Sequence, residues 1–404
     1  MISADELKLA RWFRAKQRPI STVAELDRAA MDGGALVILE VSFADGGAPD
    51  RYLVTEGDVW SALVRAVAIG TDIHADRGEF RAFQTEGFRL DGPLVARRLE
   101  VEQSNTSVVI GEQLMLKLYR LLEAGQNPDL EVSAFLTDAG FAETPALAGS
   151  LVYQSPDGWS AAAAMLQSLV PSTGDAWAGM LAALSADPAE GVEMARVIGA
   201  VTAALHAALA SRPDDPGFPA RPATVAETAA WRASAERQLA QAVTAVSGAA
   251  HERLVQLAPA LRAHFADTFG AASGDASVTR IHGDYHLGQL LARPDGGFSV
   301  IDFEGEPARP LAERREPSSP LRDVAGMLRS LDYAARTAER ASRLDPEPWL
   351  AAARSAFLHA YGPTDPALLA AFELEKACYE VRYEASNRPD WVWLPLAAVE
   401  RLAS

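Results

Sequence analysis

Ile281-His282-Gly283-Asp284-Tyr285-His286-Leu287-Gly288-Gln289, followed by Ser299-Val300-Ile301-Asp302-Phe303-Glu304, is the stretch on which the reading of this chain turns. His-Gly-Asp reads as a turn that presents a carboxylate. Five residues after Asp284, Gln289 offers a side-chain carbonyl. The apolar run before Asp302 reads as a strand with an aspartate at its end. One carboxylate that orients a hydroxyl and accepts its proton, with further hard oxygens for Mg²⁺, is what phosphoryl transfer needs.

Protein kinases meet that need with H-R-D-x-x-x-x-N and a later D-F-G. Here Gln289 stands where the kinase pattern has Asn. Asp284 is therefore the candidate catalytic residue, and Gln289 and Asp302 the candidate Mg²⁺ ligands. Glu304 is a further possible ligand, with a solvent-facing acid or an arginine partner as the competing reading. An isolated His-Gly-Asp is more often a helix-capping turn; the amide at +5 and the strand-end aspartate decide against that. His282 and His286 do not make a zinc pair, because the turn is not a helix and no third ligand is nearby. His282 is expected to brace the loop.

The chain has 404 residues and a net charge of −17. That length buries a sizeable core in two or three units. The acidity argues against nucleic acid as a partner, since phosphate neutralisation needs clustered basic residues. The sequence suggests no apolar run approaching the roughly 18 residues that span a bilayer, so no membrane association is expected. The N-terminus lacks the apolar core of a signal peptide. The single cysteine, Cys378, excludes an internal disulfide and fits a reducing compartment. A cytoplasmic monomer is expected.

Three regions separate along the chain. Residues 1–90 mix strand-like runs with Gly- and Asp-rich turns and a helix near Val59 to Ile69. Residues 91–170 hold a hairpin, Ser107 to Ile110 and Leu114 to Tyr119, then a helix opened by Asn127-Pro128-Asp129 and two further strands. Residues 171–404 are mainly helical, with Ala-rich amphipathic stretches interrupted by the opening motif.

The four lysines are Lys8, Lys16, Lys117 and Lys376, against 33 arginines. Lys117, on the second hairpin strand, is placed to pair with nucleotide phosphates, as the β3 lysine of kinases does. Glu131 is its expected partner, with Glu123 and Asp129 as competitors. No glycine-rich phosphate loop precedes it. Ser104, Asn105, Thr106 and Ser107 could cradle phosphates through amides and hydroxyls instead. Residues 165–170, with Gln167 and Leu169, fit a hinge that receives adenine.

The C-terminal stretch pairs Tyr379 with Tyr383 and Glu380 with Glu384 at i, i+4. Aromatic faces with carboxylates suit a sugar. Tyr379, Glu380, Tyr383, Glu384 and Trp393, with Asp284 and His286, form the expected acceptor set. A surface helix with core tyrosines would show the same spacing.

Taken together, these segments resemble actinobacterial maltokinases, within the aminoglycoside-phosphotransferase-like kinases. The matching residues run from Arg11-Trp12-Phe13 through Glu102 to Val109, Leu116-Lys117-Leu118, Asn127 to Glu131 and His282 to Gln289. They continue through Ile301 to Leu311 and Ser319 to Ser330, and end with Tyr379-Glu380 to Trp391. The resemblance implies an α+β, bilobal protein-kinase-like fold: a β-rich N-lobe (91–170) preceded by an N-terminal cap (1–90), and a mainly helical C-lobe (171–404). It also implies ATP and Mg²⁺ as cofactors and a small sugar as acceptor, maltose first, giving maltose 1-phosphate. Related kinases of this architecture phosphorylate glucosamine, which is the alternative acceptor, giving glucosamine 6-phosphate. An aminoglycoside phosphotransferase is disfavoured by the Glu304 to Pro310 block. A carbohydrate-binding pseudokinase is disfavoured by the presence of base, metal ligands and lysine together.

Overall fold

The computed structural model describes residues 3–90, 92, 94–99, 105–307, 309–341 and 345–403. The chain forms two compact units, Met1–Val170 and Pro171–Ser404. The first is β-rich and the second helical, in a kinase-like α+β fold with a curled-sheet N-lobe and a helical C-lobe.

In the β-rich unit, strands Ile20–Met31, Gly34–Phe43 and Asp50–Gly57 make an antiparallel sheet in chain order. After the helix Trp60–Ile69 comes a seven-stranded sheet. Its order is Ile73–His74, Glu79–Gln84, Leu147–Gln154, Ser160–Ser168, Leu114–Leu118, Thr106–Ile110 and Ala96–Arg98. Strands from before residue 90 thus pair directly with Leu147–Gln154. One core runs across the residue-90 border: Leu36, Ile38, Leu63 and Val67 pack with Phe80, Val108, Leu116 and Leu151. The strand Leu114–Leu118 lies between two partners, and its alternate residues Leu114, Leu116 and Leu118 are buried. Period-two alternation puts the side chains of Met115 and Lys117 on the opposite face. The helix Pro128–Asp138 begins as its sequence predicts. Asn127 Oδ1 accepts from the amides of Asp129 and Leu130, and Pro128 occupies the first turn, where no donor is needed.

The helical unit is built from long helices with short connections. Pro188–Leu209 packs along Pro346–Tyr361, and Gly199 is the contact point. A Cβ at Gly199 would sit 2.3 Å from the Phe357 carbonyl oxygen, so only glycine allows this approach. Contrary to the sequence expectation, Pro188–Leu209 is long and apolar enough to cross a membrane. It is a core helix here, burying Ala195, Ile198, Val201, Leu205 and Leu209. Trp231, Phe269 and Phe372 join the helices Val225–Ala245, Gly248–Ala271 and Pro366–Asn387, with ring centroids 5.3–6.4 Å apart. Each such ring contributes roughly 1.5–3 kcal/mol by burial. The opening motif lies on irregular backbone between these helices. A small sheet anchors it: Gly174–Asp175, Leu290–Ala292 and Phe298–Val300.

Candidate functional site

The loop carrying Asp284 is held from behind. Gly283 has φ +83°, a left-handed conformation that glycine adopts without strain. Its amide donates to Asp323 Oδ1 at 2.9 Å, and the His282 amide donates to Asp323 Oδ2 at 2.8 Å. His282 is buried, as a brace should be. Its Nδ1 accepts from the Asp284 amide at 3.3 Å, which leaves Nε2–H to donate to the Ile301 carbonyl at 3.0 Å. This imidazole therefore ties the Asp284 turn to the strand that delivers Asp302.

Asp323 is a residue the sequence reading missed. It lies on the helix Leu321–Ala341, is 1% exposed, and also meets His206 Nε2 at 3.1 Å. Tyr361 Oη contacts His206 Nδ1 at 3.0 Å, extending the chain of polar groups. Burial pushes the Asp323 carboxyl up, but the His206 hydrogen bond and charge, with the Gly283 amide, outweigh it and hold its pKa below the ordinary value. The only sequence signal was an acid inside an otherwise apolar helix face, Val324, Ala325, Met327 and Leu328 following it. Gly326 on that helix allows the approach: a Cβ there would lie 2.6 Å from the Tyr285 carbonyl oxygen.

Asp302 has φ +70°, one of two non-glycine residues with positive φ among those described. Strain of this kind costs of order 1–3 kcal/mol and concentrates at functional sites. Gln289 Nε2 donates to Asp302 Oδ2 at 3.3 Å. A carboxylate oxygen of Glu304 lies within 4.8 Å of one of Asp302. Asp302 and Glu304 thus bring hard carboxylate oxygens together, the donor type that suits Mg²⁺, with the Gln289 amide beside them.

Asp284 opens onto two clefts of the helical unit. One, of about 450 Å³, is lined by Asp284, Glu306, Arg309, Glu375, Lys376 and Tyr379 among others. The second, of about 630 Å³, is lined by Asp284, His286, Tyr379, Arg382 and Tyr383, with Ser386 and Asn387 beyond. His286 Nδ1 accepts from the Gly288 amide, so the other ring nitrogen carries the hydrogen and is available to donate. Burial lowers the His286 pKa, which keeps the imidazole neutral near neutral pH. The Tyr379 and Tyr383 rings stack at 6.4 Å.

The same helix, Pro366–Asn387, corrects half of the expected acceptor set. Glu380 and Glu384 are 9% and 1% exposed and line neither cleft. Glu380 Oε2 receives Arg329 Nη2 at 2.7 Å, and Glu384 receives Arg388 Nη2 at 2.5 Å and Tyr333 Oη at 3.1 Å. Both carboxylates are consumed by ion pairs, Glu380 with buried Arg329 and Glu384 with half-exposed Arg388, which relieves their like charge at i, i+4. Desolvation raises the Glu380 pKa, with Arg329 opposing. Trp393 lies on the next helix, 40% exposed, with Arg340 over its ring, and lines neither cleft. Lys376 and Glu375, which the sequence reading left unassigned, take the cleft-facing positions instead.

Within the β-rich unit, Lys117 Nζ lies 2.7 Å from Asp129 Oδ2, whereas Glu131 was the expected partner. Asp129 is 1% exposed and also accepts from Tyr119 Oη at 2.9 Å. Both acids lie in the first turn of the capped helix, and the ion pair with Lys117 is made by Asp129. Ser107 and Met165 sit directly across from Lys117 on its two neighbouring strands, so their side chains share its face. Thr106 and Asn105 turn inward instead: Thr106 Oγ1 accepts from Arg120 Nε at 2.8 Å, and Asn105 Oδ1 from the Arg120 amide. Ser104 lies outside the described residues. In the expected hinge Gln167 is buried, and the Leu169 amide is spent on the Gln113 carbonyl at 2.7 Å, so it has no proton to offer adenine.

Comparison with known proteins shows similarity over most of the chain. The family described as "Phosphotransferase enzyme family" matches residues 95–372. A glucosamine kinase of Streptacidiphilus jiangxiensis is 33% identical over 78% of this chain and 75% of its own length. A glucosamine kinase of Mycolicibacterium smegmatis is 31% identical over 76% and 79%. A solved glucosamine kinase in complex with glucosamine, ADP and inorganic phosphate superposes with a TM-score of 0.75, at 26% identity and with full coverage of both chains.

Proposed function

This chain belongs to the phosphotransferase enzyme family, and on that footing we propose that it transfers the γ-phosphoryl group of ATP to glucosamine, giving glucosamine 6-phosphate. The observation that carries the acceptor is the similarity to two glucosamine kinases over more than three quarters of the chain. Maltose, the first acceptor read from the sequence, gains no support from these relatives. The cleft chemistry is compatible with an amino sugar. Tyr379 and Tyr383 offer apolar faces for C–H groups, and Glu306 offers a carboxylate for an ammonium.

In this reading Asp284 orients the acceptor hydroxyl and takes its proton as the oxygen–phosphorus bond forms. His286 donates a hydrogen bond to a second sugar oxygen. Gln289, Asp302 and Glu304 would hold Mg²⁺, which supplies charge neutralisation for the phosphates. Lys117, paired with Asp129, is assigned to the nucleotide phosphates. A cytoplasmic setting, where ATP is supplied, suits this activity.

The test is a coupled ADP-release assay with ATP and Mg²⁺, offering glucosamine, maltose and an aminoglycoside in parallel. Glucosamine is expected to give the highest kcat/KM, and Asp284→Ala to lower kcat by at least about 10³-fold while nucleotide binding persists. Turnover of maltose above that of glucosamine would overturn the acceptor assignment.

A further inference from the structure

Of the four lysines, two lie beyond residue 16: Lys117, read as a nucleotide-phosphate ligand, and Lys376, to which nothing so far gives a task. Lys376 sits on the Pro366–Asn387 helix and lines the cleft into which Asp284 opens. Its Nζ is 3.6 Å from Asp284 Oδ1. A charge-assisted hydrogen bond is roughly 2.7–2.9 Å long. The ammonium is therefore beside the carboxylate but not bonded to it. It also lies 4.8 Å from the centre of the Tyr379 ring. About one third of the side chain is exposed, so the group has room to move and reaches solvent in the cleft. Burial disfavours its charge, yet Asp284, Glu306 and Glu380 outweigh this and keep it protonated.

We propose that Lys376 is a catalytic residue whose ammonium stabilises the negative charge of the transferring phosphoryl group. The inference rests on the kinase reading of Asp284. An acceptor hydroxyl held by Asp284 stands about 2.6–3.2 Å from its carboxylate. The phosphorus it attacks is then about 3–3.5 Å further on. A cation on a four-carbon stem, anchored 3.6 Å from that carboxylate, meets the equatorial phosphoryl oxygens with a small swing. In the step itself the acceptor oxygen–phosphorus bond forms and the bond from phosphorus to the bridging oxygen of ATP breaks. The acceptor proton passes to Asp284, and ADP carries the leaving electron pair. Lys376 gains and loses no proton. Its three N–H donors match oxygens that carry most charge midway through transfer. The unbonded 3.6 Å separation suits this task, because the donors are not already spent on Asp284.

The test compares wild type with Lys376→Met and Lys376→Arg by steady-state kinetics, ADP binding by calorimetry and thermal melting. The expected result for Lys376→Met is a loss of roughly 10²–10³-fold in kcat, the loss typical of removing one charge-stabilising donor. KM for sugar and affinity for ADP should stay within about threefold, and Lys376→Arg should recover part of kcat. A kcat within threefold of wild type, or a loss confined to the KM for sugar, overturns the proposal. If Lys376→Met lowers the melting temperature, Lys376→Gln measured well below its own transition carries the same comparison. Wild type is assayed first on glucosamine. No turnover there counts against the acceptor assignment alone. The comparison then uses whichever sugar wild type phosphorylates, or ATP hydrolysis by water, so Lys376 is judged separately.

Discussion

Asp323→Asn tests whether the catalytic loop is held by one buried carboxylate. In wild type, Asp323 accepts from the His282 and Gly283 amides at 2.8 and 2.9 Å and meets His206 at 3.1 Å, with 1% of its surface exposed. Asparagine keeps the shape but offers one carbonyl oxygen, so one of the two amides loses its acceptor and faces an NH₂ group. A buried donor left unsatisfied costs about 1–3 kcal/mol, and a hydrogen bond to a charged group contributes about 1.5–3 kcal/mol. The expected loss is therefore about 2–4 kcal/mol. For a unit of this size that corresponds to a fall in Tm of roughly 4–16 °C. The pH dependence follows from the sign of the shift. The folded pKa lies below the ordinary 3.8, so the stability that Asp323 supplies is present at neutral pH, and it is lost as pH falls from the unfolded value through the folded one. Urea unfolding followed by far-UV circular dichroism at pH 7 and near pH 3 measures both. The gap between wild type and variant should be full at pH 7 and shrink in acid. A gap under 0.5 kcal/mol at pH 7, or one that widens in acid, refutes the reasoning. The same variant should lose kcat by at least about tenfold, because a 1 Å drift of Asp284 is costly to alignment.

Glu380→Gln is expected to reduce stability by about 1.5–3 kcal/mol, because buried Arg329 keeps Asp332 but loses the charge of its second carboxylate, while KM for the sugar stays within twofold in whatever variant protein folds at 15 °C. Tyr379→Ala should do the opposite, raising the sugar KM about tenfold with ATP kinetics unchanged, as steady-state titration of each substrate reads directly. Asp302→Ala should abolish the Mg²⁺ dependence of nucleotide binding measured by calorimetry, and Asp302→Asn should weaken it by about tenfold or more.

What was legible in the sequence divides by the range of the forces involved. The hairpin around Gly111, the helix after Asn127 and the helices from Leu321 onward follow from local rules of alternation, capping and amphipathic spacing, and the structure has each of them. Asp284, Gln289 and Asp302 could be read as candidates because their spacing along the chain mirrors the chemistry proposed for them. Glu380 and Glu384 misled because i, i+4 spacing says that two side chains share a face, not which face. The deciding facts were Arg329 and Tyr333 on another helix, 51 residues away in each case. Asp323 and Lys376 stayed hidden for the same reason: each meets the loop only through tertiary packing, at separations of 40 residues or more. Lys117 and Asp129 show the middle case, where the right turn of the right helix was known but not which of its acids meets the lysine.

The rotational register of the Pro366–Asn387 helix sorts its residues into two inheritances. Glu380 and Glu384 are tied into the protein behind them, and a change at either is paid in folding. Tyr379, Arg382, Tyr383 and Ser386 line the second cleft instead. Substitutions there alter what the cleft admits while leaving the ion pairs of Glu380 and Glu384 intact. A lineage bearing this helix can therefore drift from one acceptor to another by single steps, each passing through a folded intermediate. Divergence in specificity among relatives should then concentrate on that one side, and a library restricted to those four positions should hold altered acceptors at little loss of soluble protein.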